Sequence, residues 1–444
     1  VMLAVTAVFS PALVAQDGCT LTREDPYGLD CLVEFISAPN PPQTVARFSD
    51  QLSVRVVGKG NLADPPEVDD FMGKDTARGE TDPNERPAEK IPSTQQVYHV
   101  FNTGNLWEYE VTMGPEMLGE IHAERDAAGE TQATEPVEDP ESLEMLLRLY
   151  LPITTGGPAA NVRTGWSNGD DSRIIRTPTT LWPWRAISQF HSVSGSDQDN
   201  SNCTGTLIGP RHLITAAHCI NRMGTNTWFN FGVAPGRNGI NSIPYGESVI
   251  SPNPSPGDPV RWYWTQAEWR TQCENAATAT TAELLACTKW DIGLIVIPDR
   301  LGDQTGWMGY VARPAGALNI EDNLNRGYPK CDGFAEEPNN CQVARLYGHT
   351  GLCGMGSYLE PLSNGWNRII RNSCDLSPGH SGSAVYHYWD PPQIPGHATF
   401  PVVAMVEVWQ HCTTCDADDD YPNRARRITP GVLNVISWLR QTFP

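Results

Sequence analysis

No run of eighteen or more apolar residues occurs in the 444-residue chain, so the sequence offers no membrane-spanning helix. Basic residues are scarce as well. Lys and Arg number 31 against 52 Asp and Glu, for a formal net charge of −21. Phosphate binding needs a basic surface, so nucleic acid is excluded as an expected partner. Internal repeats and low-complexity tracts are lacking too. What is left is an ordinary globular composition, long enough for two domains or for one domain with a long accessory segment.

Negative charge is unevenly spread. Up to Gly165 there are 27 acidic and 11 basic residues (−16), and after it 25 and 20 (−5). The first fifteen residues, Val1 to Ala15, have the length and small-residue ending of a signal-peptide core, though no basic flank precedes them; a buried strand is the alternative. Residues 16–165 are rich in Pro, Glu and Asp. Between Asp64 and Pro92 they read as a polar linker, flanked by short strands at Leu52–Val57 and Gln96–Phe101. Ser142–Tyr150 reads as a short helix. The Gly/Pro/Asn-rich connector that follows reads as exposed and easily cut.

Twelve cysteines at short spacings fit an oxidising compartment and an extracytoplasmic location. Proximity suggests the pairs Cys19–Cys31, Cys203–Cys219, Cys273–Cys287, Cys331–Cys341, Cys353–Cys374 and Cys412–Cys415. His411, Cys412 and Cys415 also carry zinc-like spacing, but no second ligand pair matches them, so no metal or other cofactor is expected. The run Asp416–Asp420 reads either as a solvated loop or as a weak calcium candidate.

Beyond Trp166 the texture changes to short β-branched or aromatic runs separated by turn residues: Ala186–Phe190, Thr204–Ile208, His212–Thr215, Ile292–Ile297, Val343–Tyr347, Ala384–Tyr388 and Val402–Val408. That spacing predicts an all-β sandwich or pair of barrels. Pro430–Phe443 reads as an amphipathic C-terminal helix opened by proline.

Three segments contain the residue types that peptide hydrolysis by serine requires: a nucleophile, a base and a carboxylate to orient that base. They are CTGTLIGPRHLITAAHC, ending in His218-Cys219; KWDIGLIV, with Asp291; and CDLSPGHSGSAV, with Ser381. The chain order His, Asp, Ser differs from the Asp, His, Ser of subtilisin-like enzymes and the Ser, Asp, His of α/β-hydrolases. TAAHC with its flanking cysteines and the GHSGS loop resemble the trypsin/chymotrypsin-like serine proteases.

The resemblance implies a double antiparallel β-barrel over residues 166–444, with the site in the cleft between barrels. His218 would be the general base, Asp291 its orienting carboxylate and Ser381 the nucleophile. The backbone N–H groups of Gly379 and Ser381 would form the oxyanion hole. Residues 16–165 would be a propeptide cut off between Asn161 and Asn168, or a permanent accessory region. The expected substrates are proteins or peptides, and the expected state is a monomer. A catalytically silent binding protein on the same scaffold is the rival reading.

The continuation Ser381-Gly382-Ser383, with NGDDSR before the histidine segment, is most similar to the bacterial glutamyl-endopeptidase branch. The long segment Asn253–Thr288 has no counterpart there. Trypsins place aspartate before the nucleophile, where a freed N-terminal amine pairs with it; here that residue is His380. The glutamate-selective branch also carries a histidine on the strand after the nucleophile loop, whereas Val402–Trp409 has Glu407 and no histidine. Asp375, six residues before Ser381, occupies the position at which trypsins select Lys or Arg. The glutamate branch can carry aspartate there too, so that position does not discriminate. Asp375 and Glu407 are the specificity candidates, and the charge of Glu407 and of Asp416–Asp420 leans toward a basic side chain.

Overall fold

The computed structural model describes residues 29–43, 45–64, 96–114, 117, 171–193, 199–250, 259–273, 286–313, 318, 321–333, 337–349, 351–358, 368–389, 400–409 and 423–444. The signal-like segment, the Ser142–Tyr150 helix, the connector before Trp166, the His411–Cys415 motif and the Asp416–Asp420 run lie outside the described residues.

The chain opens with a short helix, α1 (Leu29–Ser37), whose Leu32, Phe35 and Ile36 are buried on one face. Five strands follow: β1 (Val45–Arg47), β2 (Leu52–Lys59), β3 (Asn61–Ala63), β4 (Gln96–Asn102) and β5 (Trp107–Met113). After the two-residue β6 (Ile174–Ile175) come β7 (Ile187–His191), β8 (Ser201–Leu207), β9 (His212–Thr215), β10 (Thr227–Phe229), β11 (Gly232–Pro235), β12 (Trp262–Gln266) and β13 (Gly293–Val296). Ten of these make one sheet in the order β1-β2-β5-β4-β12-β13-β9-β8-β7-β11, antiparallel throughout, while β3 pairs in parallel with β10. The N-terminal strands thus continue the sheet that carries the histidine and aspartate segments.

The second sheet uses β14 (Gly309–Tyr310), β15 (Leu324–Gly327), β16 (Tyr347–Gly348), β17 (Met355–Tyr358), β18 (Ile369–Asn372), β19 (Ala384–Trp389), β20 (Phe400–Trp409) and β21 (Asn423–Arg427). Its order is β17-β18-β21-β20-β19-β15-β16-β6, with β14 alongside β20. Two one-turn helices, α2 (Glu268–Thr271) and α3 (Gly302–Thr305), precede the C-terminal helix α4 (Pro430–Thr442).

The expectation of an all-β architecture with a C-terminal helix is met. Helix α4 begins at Thr429 with Pro430 in its first turn, where the missing N–H costs nothing. It buries Val432, Leu433, Val435, Ile436, Trp438 and Leu439. Trp438 meets Trp264 of β12 edge-on at 4.9 Å, and His212 of β9 contacts the Leu439 carbonyl through Nε2.

Most expected strands form within a residue or two of their predicted bounds. Val343–Tyr347 does not: only Tyr347 enters a strand. Ala344 lies at φ +58°, in the left-handed region, and its carbonyl accepts from the Gly239 N–H, so the chain turns there. The disulfides Cys203–Cys219, Cys273–Cys287, Cys331–Cys341 and Cys353–Cys374 are formed. Cys31 is also disulfide-bonded, while Cys19, Cys412 and Cys415 lie outside the described residues.

Candidate active site

His218 sits on a single 3-10 turn, Ala217–Cys219, directly after β9, and the Cys203–Cys219 disulfide ties that turn back to β8. Asp291 lies between another such turn, Thr288–Trp290, and β13. Antiparallel pairing of Thr215 with Gly293 brings the residues after Thr215 alongside those before Gly293, so register alone sets His218 beside Asp291. Gly293 lacks a side chain where one is excluded: a Cβ would stand 2.9 Å from the Ala216 carbonyl oxygen.

Both carboxylate oxygens of the fully buried Asp291 are used. Oδ1 accepts the His218 backbone N–H at 2.9 Å, and Oδ2 lies 2.6 Å from His218 Nδ1. An ionised carboxylate only accepts, so Nδ1 carries the proton and the Nε2 lone pair is left as the basic atom of the ring.

Ser381 lies on the loop from β18 to β19, and the loop's shape depends on two glycines at positive φ, Gly379 (+90°) and Gly382 (+77°). A Cβ on Gly379 would come within 2.4 Å of the Lys330 backbone nitrogen, and one on Gly382 within 2.5 Å of the Thr204 carbonyl. The loop is pinned across the sheet boundary. The Ser381 carbonyl accepts the Thr204 N–H at 2.8 Å, and the Gly379 carbonyl accepts the Thr204 hydroxyl at 2.9 Å. Thr204 adjoins Cys203, whose sulfur lies against the His218 ring. The second sheet therefore delivers the serine loop to the strand disulfide-linked to the histidine turn, where His218 is paired with Asp291.

Cys203, His218 and Cys219 also lie within metal-ligating distance of one another. Both sulfurs are committed to the disulfide, so neither supplies the thiolate a metal would need.

Several residues around the loop carry no sequence signal of their own. Arg173 donates to the Ser377 hydroxyl at 2.6 Å and to Asp171 Oδ1 at 2.8 Å, with both charged side chains buried. Ser377 in turn lies 3.2 Å from His380 Nδ1. Burial, followed by the charge of Arg173, pushes the His380 imidazole well below its ordinary range, so it stays neutral. Arg173 thus stands as an internal cation beside a neutral His380. Arg173→Ala would leave the Asp171 carboxylate buried without its cation, and a loss of about 3–5 kcal/mol is expected in denaturant unfolding.

The two specificity candidates differ in their surroundings. Asp375 Oδ2 accepts from the Ser172 N–H at 2.9 Å and from its hydroxyl at 2.5 Å, and lies 2.8 Å from His349 Nδ1. Burial works to raise this carboxyl, but His349 and Ser172 outweigh it and hold the carboxyl below its usual value. Glu407, on β20, clasps the nucleophile loop through its main chain: its carbonyl accepts the Gly382 N–H at 2.7 Å, and its N–H donates to the Ser383 carbonyl at 2.9 Å. Among the described residues its fully buried carboxyl receives one bond, from Asn372 Nδ2 to Oε2 at 3.1 Å, and Oε1 has no partner. Burial, opposed by Asn372, pushes it up to about 8.

Two antiparallel sheets, a His218–Asp291 pair and a serine loop fastened to β8 make an arrangement similar to that of the trypsin-like serine proteases. The family model described as Trypsin matches residues 174–248. More particularly, the chain is 32% identical over 162 residues to the glutamyl endopeptidase of Bacillus licheniformis, covering 36% of this chain and 41% of that protein. It is 31% identical over 117 residues to an extracellular metalloprotease of Bacillus subtilis, covering 21% of this chain and 37% of that one. The chain thus spans about two fifths of the length of these relatives. Solved structures that align with it include a Glu endopeptidase in complex with MPD (17% identity, TM-score 0.40, 62% of this chain and 98% of that one) and the Anisep protease of Arthrobacter nicotinovorans (15%, TM-score 0.38, 61% and 98%). The chain is similar to the trypsin-like serine proteases near the glutamyl-endopeptidase branch, as TAAHC and GHSGS led one to expect.

Proposed function

We propose that the protein is a secreted serine endopeptidase, made as a precursor and acting through His218, Asp291 and Ser381. The observation that carries this reading is the 2.6 Å contact between Asp291 Oδ2 and His218 Nδ1 at the point where the Ser381 loop is fastened to β8. Ser381 Oγ attacks the scissile carbonyl carbon as its proton passes to His218 Nε2, and Asp291 stabilises the imidazolium so formed. The tetrahedral oxyanion accepts from the Gly379 and Ser381 N–H groups, each such donor contributing about 3 kcal/mol. Collapse expels the amine, which takes the proton from His218. Water activated by the same ring then cleaves the acyl ester at Ser381.

The described disulfides suit an oxidising, extracytoplasmic compartment. No described helix is long and apolar enough to cross a membrane. In this reading the chain is cut between Asn161 and Asn168, which separates residues 16–165 from 166–444. A fluorophosphonate probe tests it: mass spectrometry of the secreted protein should find the label on Ser381, on a fragment beginning near Trp166. An unlabelled processed form would return the chain to the binding-scaffold reading.

For side-chain selection Glu407 is the better-placed acid. Asp375 is already hydrogen-bonded by Ser172 and lies against His349, whereas Glu407 holds an oxygen with no partner among the described residues beside the nucleophile loop, where a Lys or Arg side chain would supply a cation. Such an acid costs stability. Its folded pKa lies above the ordinary 4.5, so the penalty is absent below pH 4.5, grows as pH rises, and levels off above about 8. In an inactive Ser381→Ala background, Glu407→Gln is expected to raise stability by about 3 kcal/mol at pH 7 and to leave it unchanged at pH 4. In the active enzyme the same change should erase the preference for basic over neutral peptides. An unchanged preference would remove Glu407 from specificity.

A further inference from the structure

We propose that residues 29–113 remain bound to the catalytic part as a noncovalent second chain after the connector is cut, so that maturation nicks the molecule without releasing its N-terminal segment. This rests on the proposed cut of the connector but not on the hydrolytic chemistry.

The surface concerned is the outer edge of β12. Strand β4 occupies it through five paired positions, from Tyr98 opposite Gln266 to Asn102 opposite Trp262. The other edge of β12 is paired with β13. Without β4, β12 would become an edge strand presenting Trp262, Tyr263 and Trp264, all buried now, together with a row of unpaired backbone groups. A second contact lies nearby: β3 runs beside β10, with Asn61 N–H donating to the Asn226 carbonyl at 2.8 Å and Asn230 N–H to the Ala63 carbonyl at 2.7 Å.

Side chains interlock across the same boundary. The Phe101 ring stacks on Trp228 at 5.2 Å and 4° and on Tyr263 at 6.2 Å. Glu108, buried at 1% exposure, accepts from the Trp228 indole N–H and the Arg270 guanidinium. This carboxylate of the N-terminal segment is thus matched by donors of the catalytic part, and withdrawal would strand a buried charge on one side or the other. Helix α1 moves with the hairpin, because Asn102 and Asn105 donate to the Ile36 and Ala38 carbonyls. Strand addition with an aromatic anchor and a desolvated ion pair is how proteins hold an extended partner durably.

The docked segment also bears on the site. It holds β12, which holds β13 through Thr265 opposite Gly293, two residues from Asp291.

The test uses the full chain carrying Ser381→Ala, with a recognition sequence for an unrelated protease inserted between Gly157 and Pro158. After complete cleavage the two pieces are expected to co-elute on native size exclusion, to separate on a non-reducing denaturing gel, and to keep β12 amides protected from hydrogen exchange. Adding Phe101→Ala and Glu108→Gln should weaken the association by roughly a hundredfold or more, read by dilution of the cut complex. If the double variant does not fold, the exchange of β12 in the cut parent protein decides. Departure of the N-terminal piece from a catalytic part that stays folded and monomeric would overturn the proposal, as would a covalent link on the non-reducing gel. Because the readout is binding in an inactive variant, it stands apart from any failure of the probe to label Ser381.

Discussion

Ser381→Ala is expected to lower kcat on peptide substrates by about 10⁶-fold while leaving KM within a few-fold, and to abolish labelling by a fluorophosphonate. The loss is large because no neighbouring group can replace the nucleophile. Ser377 and Ser383 flank it in sequence, but Ser377 is engaged by Arg173 and His380, and Ser383 accepts a hydrogen bond from Asn325 on its Oγ at 2.8 Å. The fold should be unaffected, since the loop is held by its backbone: the Ser381 carbonyl on Thr204, the Gly382 N–H on Glu407 and the Ser383 N–H on His380. Steady-state kinetics on a fluorogenic peptide, paired with circular dichroism, would check both halves. Retention of full activity would exclude Ser381 as nucleophile.

Asp291→Asn comes second, with an expected fall of about 10⁴-fold in kcat. The two oxygens of Asp291 do different work. Oδ1 holds the His218 main chain and Oδ2 fixes the ring. An asparagine keeps its carbonyl on one of them and turns an N–H₂ toward the other. If the amide faces Nδ1, the ring adopts the opposite tautomer, with its proton on Nε2, and can no longer take one from Ser381. Activity should therefore return partially at high pH, where hydroxide can assist, and Ser381 should react with the probe slowly. A variant that loses activity only through unfolding would show instead as a lowered thermal midpoint with no residual labelling.

How much of this was legible in the sequence depended on whether the signal was local. His218 was legible because strand, turn and disulfide lie within seventeen consecutive residues, Cys203 to Cys219. The glycines around Ser381 were legible for the same reason: a tight turn writes its conformation into its own residues. Strand β12 was not. It falls inside Asn253–Thr288, a segment that matched nothing in the resembling branch, and all five of its residues are buried. A strand covered on both faces loses the alternation by which strands are recognised. Val343–Tyr347 fails in the opposite sense, as an apolar run broken by a left-handed residue that only the backbone reveals.

The partners of the specificity candidates were hidden for a further reason. Ser172 and Asp375 are separated by 203 positions, and His349 and Asp375 by 26. Charge along the sequence suggested Asp375 and Glu407 alike; burial and pairing distinguish them, quenching one carboxylate and leaving the other with an open oxygen.

The sequence by itself determined the all-β class, the C-terminal helix and the three chemistry-bearing segments, and it suggested by proximity the four disulfides the structure forms, because each rests on residues close along the chain. Only the tertiary structure decided that the acidic N-terminal segment is woven into the histidine-bearing sheet, that Arg173 stands beside a neutral His380, and that Glu407 is buried without a counter-charge among the described residues. Those outcomes depend on strand register and on the dielectric around a side chain, which arise only when distant segments pack.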